Sequence, residues 1–249
     1  MSFFCNIFAV EMTLGIRNIS RIISWVLSIL AGIYLVYRLA IFDGYGELIG
    51  TMRTAAAAEW VAVIVAVMLL PVQLIVESRK WQLMLYGLKD ITMSESFSQV
   101  VYGYVAAFIT PYRLGEYPAR LLQMGYSAED VQRLVGGWKE WLINWRKWIG
   151  VLGWHILRYI VWMLQLWAIL CFCGIGLSPL QAIVSIPAYY ILITLAPSLP
   201  VAEVALKGGW AAIVFGAYTD NAPAILIAVT IVWFINTVTP TLIGLIYKR

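Results

Sequence analysis

FITPYRLGEYPARLLQM, residues 108–124, places Pro111, Arg113, Glu116 and Arg120 in a chain whose other long stretches are apolar. Charges near hydrocarbon depth cost several kcal/mol unless they are paired, hydrated or bound to a polar ligand, so function is first sought at this break. The flanking segments decide what kind of break it is. Residues 97–110, FSQVVYGYVAAFIT, are too short for an upright span and end at Pro111, which lacks the N–H needed to continue a helical ladder. Residues 114–124 form a second arm, so 97–124 is expected to be a re-entrant pair buried in protein or facing a wet cavity. The competing reading is a short cytoplasmic loop between shallow helices.

The rest of the chain supports a membrane setting. It is 62% hydrophobic and 12% charged, with mean hydropathy +0.84, outside the balance of a soluble domain. The expectation is an all-α, polytopic integral membrane bundle with about six spanning helices in a single transmembrane domain, 1–249. The expected spans are 22–41, 58–76, 156–176, 179–196, 201–217 and 224–246. Such a plan leaves no room in these 249 residues for a separate soluble catalytic domain.

Charge placement orients the bundle. Arg17 and Arg21 precede the first span, Asp43, Glu47 and one arginine, Arg53, follow it, Arg79, Lys80 and Lys89 follow the second, and Lys248 and Arg249 end the chain. By the positive-inside bias both termini are expected in the cytoplasm, at a plasma or inner membrane. The formal net charge of +4 is explained by this topology and by anionic headgroups, and nucleic acid is not an expected partner. The N-terminus does not read as a cleaved leader.

Residues 130–155 contain Trp138, Trp141, Trp145 and Trp148 at spacings of three, four and three, one face of a helix, with Lys139, Glu140, Arg146 and Lys147 on the other. This predicts an amphipathic helix at the interface, where indole rings meet headgroups. A second break, APSLPVAEVALK at 196–207, brings Pro197 and Pro200 in front of Glu203. Paired discontinuous helices of this kind place binding groups near the midplane in transporters.

The side chains at the breaks suggest the ligand. Arg113 and Arg120 carry several donors each, matched to phosphate or carboxylate oxygens. Glu116 can orient an arginine, pair with it in the unliganded state, or take up a proton. Gly115 permits close backbone approach beside them. Glu203 can complete a polar cavity, carry a proton, or cap a helix; Lys207 reads as a snorkelling surface residue. Asn236, in WFINTVTP, is expected to join helices by a hydrogen bond, and Trp162, Gln165 and Trp167 to pack or to sit at the interface. Cys5, Cys171, Cys173 and the single His155 form no metal-ligand spacing, and no cofactor is expected.

These motifs resemble the flippase-like membrane family that includes the transmembrane domain of lysylphosphatidylglycerol synthases. The resemblance starts at VESRKW, Glu77 to Trp81, peaks at PYRLGEYPAR, and returns at APSLPVAEVA. The family pattern of proline, a basic or small segment, Gly-Glu and arginine corresponds to Pro111, Arg113, Gly115, Glu116 and Arg120. The later segment departs from the family's Arg-Glu ending, with Ala202 before Glu203, and GGWKEWLINWRKW stands where relatives carry Glu-Arg and a later aspartate. No counterpart of the fused aminoacyltransferase domain is expected within these 249 residues.

The resemblance implies movement or accommodation of a polar-headed lipid: a flippase or transporter in which Arg113 and Arg120 hold an anionic headgroup while Glu116 and Glu203 tune the charge. Two other readings stand beside it. One is a non-catalytic lipid-binding partner of a membrane enzyme. The other is a membrane-embedded transferase with Glu116 or Glu203 as base, for which no donor site or nucleophile–base pair is visible. Membrane lipids are the expected partners, with a partner enzyme or a second copy of the chain also open.

Overall fold

The computed structural model describes residues 57–86, 89–110, 113–125, 145–195 and 203–247, with isolated positions between 33 and 46. Pro111, Pro197, Pro200, Trp138, Trp141, the side chain of Trp145 and nearly all of the expected span 22–41 lie outside the described residues. All described elements are helical, and no strand occurs among the described residues.

Helix α1 (Ala57–Leu85) begins as an apolar run and continues through VESRK without interruption. Its polar end therefore belongs to the helix and not to a basic loop. Lys80 is buried there, whereas Arg79 is exposed. Helix α2 (Met93–Ile109) opens with a capping box: Thr92 Oγ1 accepts the Glu95 N–H at 3.3 Å, and the Glu95 carboxylate accepts the Thr92 N–H at 2.7 Å. It stops at Thr110, whose extended backbone is the conformation imposed on a residue before proline. The short helix α3 (Glu116–Gln123) folds back against α2.

Helix α4 (Trp145–Phe172) runs straight through the expected boundary at residue 155, so the tryptophan-bearing stretch from 145 onward is continuous with the apolar segment that follows. Trp148 is exposed on it. Helix α5 (Pro179–Leu195) follows a turn in which Trp167 donates its indole N–H to the Leu177 carbonyl at 3.1 Å. Helix α6 (Glu203–Phe215) packs on α5 and on α7 (Ala222–Trp233). Asn221 caps α7 by accepting the Ala224 N–H at 3.1 Å.

Between α7 and α8 (Thr239–Ile246) the chain widens into a π turn, Phe234–Val238. The cause is local. Pro240 has no N–H to donate and its ring crowds the carbonyl four residues earlier, that of Asn236; widening the turn relieves both. Side-chain hydroxyls take up carbonyls there: Thr239 Oγ1 donates to Phe234 at 3.2 Å and Thr241 Oγ1 to Thr237 at 2.7 Å.

Among the described residues, three stretches are long and apolar enough to cross a membrane: Trp60–Leu85, Trp148–Phe172 and the combined Ala222–Ile246. At 1.5 Å per residue each exceeds a hydrocarbon core of about 30 Å. Their outward faces are apolar, with Ile64 and Met68 on α1 and Leu152 and Ile156 on α4 more than half exposed. Water would disfavour such a belt, whereas lipid tails accommodate it. Inside, α1 packs along α4, which also meets α5 and α7, while α2 lies between α1, α3 and α8.

Candidate functional site

The polar residues omitted from that apolar exterior converge inside. Glu77, on the last third of α1, is fully buried and accepts from three cations: Lys80 Nζ at 2.7 Å, Arg158 Nη1 at 2.7 Å and Arg120 Nη2 at 3.1 Å. The i,i+3 spacing within α1 supplies Lys80, but Arg120 and Arg158 come from α3 and α4. Arg120 Nη2 also bonds the Glu116 carboxylate one turn earlier on α3. Its guanidinium lies 5.2 Å from the Trp81 ring and 5.3 Å from the Tyr117 ring, with Trp81 held by its indole N–H to Gln99 Oε1 at 2.6 Å. Arg120 is thus enclosed between aromatic faces and carboxylates, with no exposed surface.

The α2–α3 reversal permits this. Gly115 sits against Thr110: its N–H donates to Thr110 Oγ1 at 2.9 Å, and a Cβ at Gly115 would come within 2.8 Å of that side chain and 3.0 Å of the Ala106 carbonyl. Gly103 on α2 faces Arg120 in the same way, since a Cβ there would lie 2.7 Å from Arg120 Nε. Between these contacts Arg113 adopts φ 56°, a left-handed conformation uncommon for a non-glycine residue. Strained backbone of this kind persists where surrounding contacts over-determine it. Here the contacts are Glu116 Oε2, 3.3 Å from Arg113 Nε, and the Tyr104 ring, 5.3 Å from the guanidinium.

A second pair closes the other side. Glu203, the first residue of α6, takes Lys207 Nζ at 2.6 Å and the Trp233 indole N–H at 3.0 Å. Lys207 is therefore a partner and not a free snorkelling chain. A third polar relay ties α1, α4 and the π turn: Gln165 Nε2 donates to the Ala66 carbonyl at 3.0 Å, and Asn236 Nδ2 donates to Gln165 Oε1 at 2.9 Å.

These groups surround a cavity of about 340 Å³. Among the described residues Arg113, Arg158 and Lys207 bring three cations to its wall and Glu203 one carboxylate, while Trp162, Tyr190 and Trp233 supply aromatic surface. The Arg158 guanidinium stacks 4.2 Å from the Trp162 ring. The structure thus brings Arg113 and Glu203 to one cavity from the two breaks in the sequence. Glu116 and Arg120 stand behind that wall, linking Arg113 to Glu77.

Sequence reasoning missed Glu77 as the hub and Arg158 altogether. Arg158 was visible as a lone cation within the apolar run WHILRYIVW, and Glu77 with Lys80 as an i,i+3 pair at the end of another. Asn236 was expected to join helices, but its position on the cavity wall depends on the π turn.

The chain matches no protein-family model, no curated protein and no solved structure. Fold and site define its class by themselves: the described residues are all helical, with three helices of membrane-crossing length and apolarity among them, around a cationic, aromatic-lined cavity.

Proposed function

We propose that this chain is a lipid flippase or transporter for an anionic, polar-headed lipid, built as a six-span membrane bundle with 97–124 as a re-entrant hairpin and both termini cytoplasmic. The observation that carries the reading is the cavity wall, where, among the described residues, three cations, Arg113, Arg158 and Lys207, stand with one carboxylate, Glu203, inside a bundle with an apolar exterior. A cavity with this excess of positive charge favours an anionic headgroup, and the guanidinium forks match phosphate oxygens. The lipid tails would stay against the apolar outer faces. The resemblance of PYRLGEYPAR to the flippase-like family points the same way and rests on those short motifs alone.

A second reading, a lipid-binding partner that holds lipid without moving it, draws on the density of the ion pairs behind the wall. Glu77 anchors α1, α3 and α4 together, and such a hub favours a fixed cavity over a rocking one. The transferase reading is weaker, because Glu203 is already engaged by Lys207 and Trp233.

Translocation of labelled phospholipids in proteoliposomes, at matched incorporation, separates these readings. Accelerated transfer that falls by about tenfold or more in Arg113→Ala supports transport, that being the scale of a lost charged hydrogen bond. Retained lipid binding without transfer moves the partner reading to first place.

A further inference from the structure

The charge surplus at the cavity is the same at two depths. Among the described residues the wall carries three cations and one carboxylate, and the interior ion pairs as a whole join five cations to three carboxylates, so either count leaves two positive charges over. The groups behind the wall therefore do not cancel what the wall presents.

The surplus is also reachable. The side chains of Arg113, Lys207 and Arg158 keep 33%, 23% and 15% of their surface accessible, against 0% for Arg120 and 1% for Lys80 in the layer behind. Arg113 meets Glu116 through Nε, which leaves both Nη groups, and Arg158 meets Glu77 through Nη1, which leaves Nη2. Lys207 commits one of its three donors to Glu203. The carboxylate is in the opposite condition, since its Oε1 accepts from Lys207 and its Oε2 from the Trp233 indole. What the charged groups of the wall leave open is thus donor capacity, and beside them Leu166, Ile193, Val229 and Val232 give the lining aliphatic surface.

On the reading that the cavity takes an anionic lipid headgroup, we propose that the ligand is a lipid phosphate monoester, a bare phosphate at the end of an apolar stem. A monoester loses its second proton near pH 6 and carries close to two negative charges at neutral pH, whereas a diester carries one whatever alcohol it bears. Two charges match the surplus; a diester leaves one positive charge without compensation in an interior of low dielectric. The monoester also presents three unesterified oxygens to the guanidinium forks, one more than a diester. A dianion gives up more hydration than a monoanion, and the open donors of Arg113, Arg158 and Lys207 replace it. The aliphatic lining suits a hydrocarbon stem and has nothing to bond a second alcohol.

Phosphatidic acid and phosphatidylmethanol share glycerol and acyl chains and differ by one methyl group, so charge and one free oxygen separate them. Binding of each to the full-length protein is measured in nanodiscs of choline lipid at about pH 8, above the second ionisation. The parent is expected to prefer phosphatidic acid by about tenfold or more, the scale of one added charged hydrogen bond. Arg113→Gln removes one charge of the surplus without stranding Glu116, which keeps Arg120, and is expected to narrow that ratio. Glu203→Gln raises the surplus and is expected to hold or widen it, whereas loss of a purely structural contact lowers both affinities alike. Equal affinities in the parent, a ratio untouched by Arg113→Gln, or one that narrows in Glu203→Gln overturn the assignment; the parent ratio decides even where a variant does not fold. Inorganic phosphate is the third probe: displacement of phosphatidic acid only at large excess supports a lipid ligand, and displacement at equal concentration overturns it in favour of free phosphate. Failure of both lipids to bind, or binding of both that is indifferent to Arg113→Gln, removes the headgroup reading and the inference with it. Equal, Arg113-dependent binding of the two removes the inference alone.

Discussion

At Glu77 one carboxylate takes Lys80, Arg120 and Arg158 out of solvent together, and its two oxygens divide them: Oε2 receives Lys80 and Arg158, Oε1 receives Arg120. Buried ion pairs contribute little over apolar packing, but removing one member leaves charge with no compensation. Glu116 shares only Arg120 of the three. Glu77→Gln, nearly isosteric, is therefore expected to lower stability by about 3–5 kcal/mol, the range for breaking a buried pair. Adding Lys80→Met is expected to recover part of the loss, because it removes one of the stranded cations. Thermal unfolding of the purified proteins in mild detergent reads both effects. An unchanged midpoint in Glu77→Gln would show that the three cations find other compensation.

At the scale of elements, the start of α2 offers a device that titrates. Glu95 is exposed, and the Thr92 backbone N–H, with the Thr92 hydroxyl second, holds its carboxyl below the ordinary carboxylate range. A depressed folded value means that the capping contribution is present above the ordinary value of about 4.3 and is lost as pH falls below it through the folded value. Protection of the first-turn amides of α2 against hydrogen exchange, corrected for intrinsic rates, is expected to drop over that acidic window and to become pH-independent in Glu95→Gln. Equal pH dependence in the two proteins would sink the idea. Thr92 and Glu95 also illustrate what local sequence reveals, since T-x-x-E before an apolar run is a helix start by spacing alone. The break at Pro111 and the small residue at Gly115 were legible for the same reason: proline and glycine act within a turn of themselves. The pairings of Glu77 with Arg120 and Arg158 span 43 and 81 residues, and no periodicity encodes them. An isolated charge in an apolar run announces that it has a partner without saying where, which is why Arg158 belongs to the site while nothing near it in sequence indicates so. The π turn was hidden for another reason: Pro240 signals a fault in the helix, but a kink, a break and a widened turn share that signal.

At the scale of the whole molecule, the interior ion pairs among the described residues join five cations, Lys80, Arg113, Arg120, Arg158 and Lys207, to three carboxylates, Glu77, Glu116 and Glu203. The excess is concentrated at the cavity wall, because Lys80 and Arg120 are absorbed behind it while Arg113, Arg158 and Lys207 line it. A low-dielectric bundle with uncompensated positive charge is stabilised by whatever anion enters it, and mass action converts that binding into stability, about 2.7 kcal/mol at a ligand concentration of 100 times Kd. Anionic phospholipid added to the protein in neutral detergent is accordingly expected to raise the unfolding temperature, and choline lipid of the same chain length to raise it far less. The difference is expected to shrink in Arg113→Gln, which removes one wall cation, and to persist in Arg79→Gln, which removes an exposed cation outside the cavity. Added salt discriminates further, since charges on the outer surface are screened within about 10 Å at 0.1 M ionic strength, whereas a headgroup enclosed by the wall is shielded from mobile ions. Stabilisation that vanishes in moderate salt, or that Arg79→Gln reduces as much as Arg113→Gln does, would assign the effect to general surface charge and leave the cavity without a role in lipid selection.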